Sequence, residues 1–287
     1  MTHLKPRSSE MAKRKLESLF DLSGRVAAIT GGGGILCSTM GKALAEVGVS
    51  VALMDIRKDA AQKAADEITA AGGKAIAVQC DVLNKASVES AQAEIVKAFG
   101  KVDILVNGAG GNNPKATTTA NLPFWDLPQD GFQWVFNLNF IGTVIPSQVF
   151  GKTFATQGHG DIVNISSMSA FRPLTNVPAY SAAKAAVSNF TMWLAVHISQ
   201  NYSTAVKVNA IAPGFFVTEQ NRDLLTDRAT GKLTARGQKV IDHTAMARFG
   251  DPEDLVGCLV WLLSPSAKFV HGAVIPVDGG FAAYSGV

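Results

Sequence analysis

The chain alternates short apolar segments with longer segments in which apolar residues recur at helical spacing. The short segments predict strands at residues 26–30, 49–54, 75–79, 104–107, 162–166, 206–211 and 273–277. The longer segments predict helices at residues 39–47, 60–71, 86–99, 132–156, 180–200 and 252–263. Strands and helices that alternate in this way form right-handed crossovers over a parallel sheet. We therefore predict a single doubly wound α/β domain, with a seven-stranded, mainly parallel sheet and helices on both faces.

Residues 1–20 are basic and polar and lack the apolar centre of a signal peptide, so we predict an N-terminal arm. Residues 21–287 contain no repeat or linker and form one domain in this interpretation. Two polar stretches, 110–130 and 219–250, interrupt the alternation after strands. Because open α/β sheets bind ligands beyond the carboxyl ends of their strands, these stretches are the predicted substrate loops.

The composition narrows the function classes. Of the 287 residues, 47% are apolar and 17% are charged, which favours a globular chain over a disordered one. A net charge of +3 is too small to indicate nucleic acid or an anionic membrane as a partner. The cysteines, Cys37, Cys80 and Cys258, lack the spacing of a metal site. We expect a cytoplasmic protein with no disulfide framework, no metal and no membrane segment.

A glycine run at 31–34 lies between the first strand and the first helix. Glycines there let the backbone approach a pyrophosphate, which the free N–H groups of a helix N-terminus attract. Asp55 ends the second strand, where a carboxylate accepts hydrogen bonds from ribose hydroxyls and repels a 2′-phosphate. Asp55 therefore predicts NAD as the cofactor. NADP is the less favoured alternative, because Arg57 and Lys58 lie near enough to tolerate its phosphate. The alternative is a glycine-rich turn without a ligand, but its place between strand and helix favours a dinucleotide-binding Rossmann domain.

A phenol and an ammonium group stand four residues apart in a predicted helix, at Tyr180 and Lys184, and hence on one helix face. A free phenol titrates near 10, and a neighbouring cation is expected to lower that pKa towards the range of a general base. Ser167 follows the strand predicted at 162–166, where its hydroxyl can hydrogen-bond a substrate oxygen whose charge changes. The alternative is an ordinary surface pair, but Ser167 and the glycine run together favour an acid–base site.

These segments resemble the short-chain dehydrogenase/reductase family from about residue 20 to the C-terminus. The glycine run resembles the family motif T-G-x-x-x-G-x-G from Thr30, except that Ile35 and Cys37 replace its later glycines. The pair Asp81-Val82, the segment N-G-A-G at 107–110 and the segment P-G-F-F-V-T at 213–218 also match. The resemblance implies a cofactor site formed by Gly31, Gly33, Gly34, Ile35, Asp55, Asp81, Val82, Asn107, Ala109, Gly110, Tyr180, Lys184, Pro213, Gly214, Phe216 and Thr218.

The resemblance also implies reversible hydride transfer with a catalytic set of Asn139, Ser167, Tyr180 and Lys184. In that set the tyrosine exchanges the alcohol proton, the lysine binds the cofactor ribose, and the asparagine relays a proton through water. Asn137 is a neighbouring alternative to Asn139, and Ser166 lies beside Ser167. Family members usually form tetramers or dimers through helices that correspond to residues 132–154 and 180–200, so a homo-oligomer is expected.

The predicted substrate loops are polar and carry Lys115 and Arg222, while Arg172 follows Ser167 by five residues. These cations suit a ligand with hydroxyls and a carboxylate, and Ser169 is a further candidate contact. The loop sequences are similar to a sugar-acid subgroup of the family. This similarity implies a small-molecule sugar acid that is interconverted with its keto acid, such as D-mannonate with D-fructuronate.

Three alternative functions remain open at this point. Gluconate 5-dehydrogenase-like enzymes and 3-oxoacyl carrier-protein reductases share the family motifs, although the second class predicts an apolar pocket and NADPH. A non-catalytic NAD(H)-binding regulator could be built on the same fold. The altered glycine motif favours the regulator, whereas the complete catalytic set favours an enzyme.

Overall fold

A computed structural model describes residues 16–219 and 221–285 of the chain. Its seven strands form a single, wholly parallel sheet in the order β3-β2-β1-β4-β5-β6-β7. The strands are β1 Val26–Thr30, β2 Ser50–Asp55, β3 Lys74–Gln79, β4 Ile104–Asn107, β5 Gly160–Ile165, β6 Val206–Pro213 and β7 Val274–Val277. The predicted doubly wound fold and all seven predicted strands are therefore confirmed.

Helices cover both faces of the sheet. They are α1 Leu16–Leu19, α2 Ile35–Glu46, α3 Lys58–Ala70, α4 Lys85–Phe99, α5 Gln129–Phe136, α6 Gly142–Gln157, α7 Pro178–Asn201, α8 Arg222–Leu225, α9 Ala235–Asp242 and α10 Val256–Leu263. The helix predicted at 132–156 is instead two helices, because a π-helical turn at Asn137–Ile141 separates α5 from α6. The helix predicted from residue 39 begins four residues earlier, directly after the extended Gly34.

Burial of the central strands explains why apolar residues predicted them so well. Every residue of β1, β4 and β5 is buried. Successive residues of β1 point to opposite faces, so that Ile29 belongs to one apolar cluster and Ala28 to the other. The strand order reverses between β1 and β4, which opens a crevice at the carboxyl ends of these strands. The candidate site lies at this crevice.

The two predicted loops contain more regular structure than expected. The stretch 110–130 holds short 3-10 turns at Pro114–Ala116 and Phe124–Asp126. The stretch 219–250 contains α8 and α9 and is therefore partly helical, while its role as a substrate loop stays a prediction. Thr234 caps α9 by accepting a hydrogen bond from the Gly237 N–H at 3.0 Å. A capping threonine is a local sequence signal for the start of a helix, and the charged composition of this stretch obscured it.

The arm predicted at 1–20 lies outside the described residues up to residue 15, and residues 16–19 form the short helix α1. Across the described residues, no helix has both the length and the apolar character that crossing a membrane requires.

Candidate active site

The glycine run packs so closely against its neighbours that side chains would not fit. A Cβ atom on Gly31 would lie 3.0 Å from the Ala109 Cα, and one on Gly32 would lie 2.8 Å from the Leu53 Cα. Gly31 also has a φ of +68°, in the left-handed region that favours glycine. Gly34 precedes α2 without a side-chain cap, so the first N–H groups of the helix, beginning with Ile35, remain available to an anion. This arrangement fits a dinucleotide diphosphate.

Cys37 shows how this chain accommodates its departure from the family glycine motif. The side chain is buried, and a Cβ atom on Gly108 would lie 2.2 Å from the Cys37 Sγ. The thiol thus fills the space that a side chain at position 108 would occupy. Burial raises the pKa of Cys37 to about 12, so the residue is a packing element rather than a reactive thiol.

Asp55 connects the end of β2 to the glycine run. One carboxylate oxygen accepts a hydrogen bond from the Gly33 N–H at 3.0 Å, and the other accepts from the Arg57 N–H at the same distance. The Arg57 and Lys58 side chains are exposed. Asp55 therefore lies where it was predicted, with its carboxylate fixed beside the first turn of α2.

The residues after β3 and β4 divide between the crevice and the core. Asp81 lies beyond the end of β3 and accepts a hydrogen bond from the Leu83 N–H, while Val82 is buried against α6. Asn107 was predicted to contact the cofactor, but its side chain is buried and donates to Ser147 Oγ and Asn164 Oδ1, both at 2.9 Å. The Asn107 side chain therefore stabilises the interior of the sheet, because both of its amide hydrogens bond to buried residues.

The π-helical turn directs Asn139 into the crevice and leaves Asn137 exposed. The Asn139 amide donates to the carbonyls of Gly111 and Val135, each at 2.7 Å, and its oxygen accepts from the Gly111 N–H at 3.2 Å. The side chain thus holds the start of the loop 110–130. It offers no free amide hydrogen for the proton relay that the resemblance implied.

Lys184 and Asn139 converge on Gly110. A Cβ atom on Gly110 would lie 2.6 Å from the Asn139 Oδ1 and 3.3 Å from the Lys184 Nζ, so only glycine lets these groups meet. The Lys184 ammonium donates to the Ile165 carbonyl at 2.8 Å and lies 5.7 Å from the centre of the Tyr180 ring. Burial lowers the pKa of Lys184 to about 8.

The electrostatics of Tyr180 differ from the prediction. Burial raises the pKa of Tyr180, and a hydrogen bond with Ser167 opposes that rise. The lowering by Lys184 that the sequence predicted does not dominate, because loss of hydration is the larger effect and Ser167 is the group that opposes it.

The structure separates the two adjacent serines. Ser167 follows β5 and accepts a hydrogen bond from the Ser169 N–H at 3.1 Å. Ser166 instead donates to the Lys184 carbonyl at 3.1 Å and bonds to Ser188, so its hydroxyl is used inside the core. Ser167 is the serine that lies with Tyr180.

The segment 213–218 continues from β6 along the far side of the crevice. Gly214 donates to the Val277 carbonyl at 2.9 Å, and a Cβ atom on it would lie 2.6 Å from the Asp278 Cα. The Phe216 ring is buried against Gly250, so only its backbone remains for a cofactor. Pro213 ends β6, and the Thr218 N–H donates to the Asn221 side chain at 2.7 Å.

Two residues that the sequence analysis missed hold this side of the site. Asn221 bridges the segment, because its amide also donates to the Phe216 carbonyl at 2.8 Å. Asp278 accepts hydrogen bonds from the Gly280 and Ala282 N–H groups, which closes a turn after β7. We call residues 278–284 the C-terminal turn. The pair Gly279-Gly280 after a strand was the available signal for it.

The substrate candidates do not converge. The Lys115 ammonium pairs with Asp130 at 3.1 Å, and the Arg222 guanidinium pairs with Glu219 at 3.4 Å, both on the surface. Ser169 is buried, and its hydroxyl has no partner among the described residues. Arg172 is exposed and donates from Nε to the Ala282 carbonyl at 3.2 Å. In the described part of the chain, no group of acids, histidines or cysteines could hold a metal.

Comparison with known proteins identifies the family. A family model described as enoyl-(acyl carrier protein) reductase matches residues 36–282. The chain belongs to the short-chain dehydrogenase/reductase family. As a short-chain dehydrogenase/reductase, it belongs among enzymes that oxidise alcohols or reduce carbonyls.

Two curated short-chain dehydrogenase/reductase relatives match over most of their length. The uncharacterized oxidoreductase UxuB of Bacillus subtilis is 50% identical over 276 residues, which cover 93% of this chain and 98% of that protein. The 7alpha-hydroxysteroid dehydrogenase of Escherichia coli is 33% identical over 259 residues, which cover 90% of this chain and 94% of the enzyme. The second relative is named for a steroid substrate, whereas the first has no named substrate.

Two solved structures are also similar. A protein from Haemophilus influenzae, provisionally named a D-mannonate oxidoreductase, holds NAD and superposes with a TM-score of 0.86 at 47% identity, covering 93% of this chain and 98% of that one. A protein from Beutenbergia cavernae, provisionally named an NAD(P)-dependent gluconate 5-dehydrogenase, holds NADP at low occupancy. Its TM-score is 0.80 at 34% identity, covering 92% of this chain and 99% of that one. Similar family members therefore bind either dinucleotide.

Proposed function

We propose that the protein is an NAD(H)-dependent oxidoreductase that interconverts a sugar acid and its keto acid, with D-mannonate and D-fructuronate as the substrate pair. The observation that carries the proposal is the convergence of Lys184 and Asn139 at Gly110, beside the Tyr180 ring. An alcohol dehydrogenase needs an acid–base group next to its dinucleotide site, and this arrangement supplies one.

In the proposed mechanism, Tyr180 removes the alcohol proton during oxidation and returns it during reduction. Ser167 donates a hydrogen bond to the reacting oxygen and so stabilises its developing charge. Lys184 stays charged at neutral pH, because its pKa is about 8, and favours the ionised form of the phenol. Asn139 holds Gly111 and thereby the loop that faces the substrate. The nicotinamide ring, when bound, accepts or supplies the hydride.

The coenzyme preference is proposed to follow from Asp55. Its carboxylate is fixed by the Gly33 and Arg57 N–H groups at the end of β2, where it would face the ribose of the cofactor. A 2′-phosphate would lie against this negative charge. The NAD in the Haemophilus structure supports NAD, whereas the NADP in the Beutenbergia structure makes the coenzyme part of the test.

The substrate class rests on the polar character of the loops and on two similar structures that are provisionally named as sugar-acid oxidoreductases. The 33% identity to a steroid dehydrogenase supports an alternative in which the substrate is a bulkier steroid. The non-catalytic regulator is disfavoured because Asn139, Ser167, Tyr180 and Lys184 are all present, and it stays a testable alternative.

The proposal includes a homo-oligomer in a reducing cytoplasm. Aromatic rings form a continuous row across α5, the π-helical turn and α7: Phe136 contacts Phe140, which contacts Phe190, and Trp193 lies between Phe190 and His197. Trp193 is 53% exposed, so this row presents apolar surface that a second copy of the chain could cover. Light scattering on the wild type and on Trp193→Glu tests whether a second copy covers this row.

A substrate panel tests the proposed activity directly. Oxidation of NADH and of NADPH is followed with D-fructuronate, other keto sugar acids, an acetoacetyl thioester and a 7-oxo steroid acid. We expect NADH-dependent turnover of fructuronate above all others. Turnover of only the thioester or the steroid would replace the substrate class, and clear NADH binding without any turnover would favour the regulator.

A further inference from the structure

Arg172 differs from the other two candidate cations in what surrounds it. Lys115 and Arg222 each pair with a carboxylate of the protein. Within residues 16–219 and 221–285, Arg172 makes no ion pair, and its hydrogen bond goes to a backbone carbonyl. Its charge is therefore uncompensated, whereas the other two cations are already neutralised.

Arg172 also lies on the same loop as the reacting serine. Its N–H donates to the Met168 carbonyl at 3.0 Å, so Arg172 lies one turn of the chain after Met168, the residue that follows Ser167. Any ligand whose oxygen bonds to Ser167 thus has a cation within the same short segment. Lys115 and Arg222 lie instead on the separate loops 110–130 and 219–250.

The C-terminal turn holds the Arg172 side chain. The guanidinium Nε donates to the Ala282 carbonyl, and the Ala282 N–H donates in turn to Asp278 at 2.8 Å. Phe281, the next residue back, packs its ring 5.2 Å from that of Phe215, which belongs to the segment 213–218. The turn therefore connects the serine loop to the cofactor side of the site.

This geometry leaves the two terminal nitrogens of the guanidinium free in the described structure. A guanidinium binds a carboxylate best through two parallel N–H groups, and the bond from Nε fixes the plane of the fork. Orientation by the protein lowers the entropy lost when a ligand binds.

We propose that Arg172 binds the carboxylate of the substrate and that the C-terminal turn orients it for that purpose. The inference rests on the proposed function, which it deepens by assigning one residue to acid recognition. It also assigns a role to Phe281, which acts through the turn and is a positioning residue.

Steady-state kinetics of Arg172→Gln test the assignment, because glutamine keeps polarity and removes the charge. We expect the KM for a keto sugar acid to rise at least 30-fold, with the KM for NADH unchanged. The rate with an uncharged ketose of the same chain length, measured at equal concentration, is expected to stay within twofold. Arg228→Gln is the matched control, since Arg228 is an exposed arginine that pairs with Asp223, and it is expected to behave as wild type.

Phe281→Ala tests the positioning role. We expect a smaller rise in the KM for the sugar acid, about fivefold, and little further rise when Phe281→Ala is added to Arg172→Gln, because both act on one contact. Additive effects of the two changes would overturn the role of the turn. Thermal unfolding of each variant verifies that it is folded.

Two outcomes separate this inference from the proposed function. If the wild type reduces keto sugar acids and Arg172→Gln leaves their KM unchanged, or impairs the uncharged ketose equally, the assignment of Arg172 is wrong and the proposed function stands. If the wild type binds NADH and reduces no keto sugar acid, both are overturned.

Discussion

The cofactor side of the crevice and its substrate side are built in different ways. On the cofactor side, Gly32 packs against the backbone of β2, and both amide hydrogens of Asn139 are used in hydrogen bonds to backbone carbonyls. On the substrate side, the candidate cations are exposed and two of them form surface pairs. The difference teaches that residues matching the family motifs are held by the buried core, whereas the proposed substrate contacts lie on surface segments.

The largest expected effect comes from removing the reacting hydroxyl. Tyr180→Phe deletes the proposed proton donor and leaves the ring, so kcat is expected to fall by about three orders of magnitude. NADH affinity, followed by fluorescence, is expected to change less than threefold. Tyr202→Phe is the matched control because Tyr202 is exposed and distant in sequence from the set. Wild-type turnover in Tyr180→Phe would remove this residue from the mechanism.

A pair of glycine substitutions compares the two sides directly. Gly32→Ala places a methyl group 2.8 Å from the Leu53 Cα, and we expect the free energy of unfolding to fall by about 2 kcal/mol. NADH affinity should fall roughly 30-fold, about 2 kcal/mol, as the glycine run shifts.

Gly231→Ala is the partner substitution on the substrate side. Gly231 has a φ of +69° but no atom within 4 Å of an added Cβ, so only backbone strain of about 1 kcal/mol is expected. NADH affinity should be unchanged. Equal losses of NADH affinity in the two variants would contradict the comparison, and chemical denaturation with fluorescence titration measures both quantities.

The pH dependence of reduction reports on Lys184. Its pKa of about 8 lies below the ordinary 10.5, and the protonated form is the one that assists Tyr180. The value of kcat/KM for reduction, which reports the free enzyme, is expected to be level below pH 8 and to fall about tenfold per unit above it. A profile that stays level to pH 10 would exclude this group. Added salt should leave the profile in place, because the lysine is buried.

The smallest effects are expected from the surface pairs. Lys115→Ala and Arg222→Ala each break an exposed ion pair, so the free energy of unfolding should change by less than about 0.5 kcal/mol. The KM for the sugar acid should stay within twofold of wild type. A tenfold rise in either variant would transfer the carboxylate site to that cation.

The sequence predicted the parts of the fold in which local pattern and burial agree. β1 and β4 have the predicted bounds, because every one of their residues is buried and apolar runs mark them. Asp55 and Ser167 were located by their places at strand ends, and Tyr180 was located by its spacing of four residues from Lys184. Each of these relations is local, so the order of residues was sufficient to find them.

Long-range contacts account for what the sequence did not predict. The bond from Arg172 to Ala282 joins residues 110 positions apart, and no periodicity encodes it. The π-helical turn that directs Asn139 inward differs from an α-helix by one extra residue per turn, which helical spacing alone does not distinguish. The pKa of Tyr180 likewise depends on burial, which only the folded structure determines.

The packing of Cys37 against Gly108 has a consequence for how the protein can be studied. A thiol reagent needs an exposed thiolate, and this sulfur is buried with a pKa of about 12. Alkylation of Cys37 therefore requires α2 to separate from the segment after β4. The rate of labelling at Cys37 then measures how often these two elements separate. Because a dinucleotide would bridge the same two elements, its binding should slow the alkylation of Cys37. The alkylation rate of Cys37 therefore reports local opening of the cofactor side.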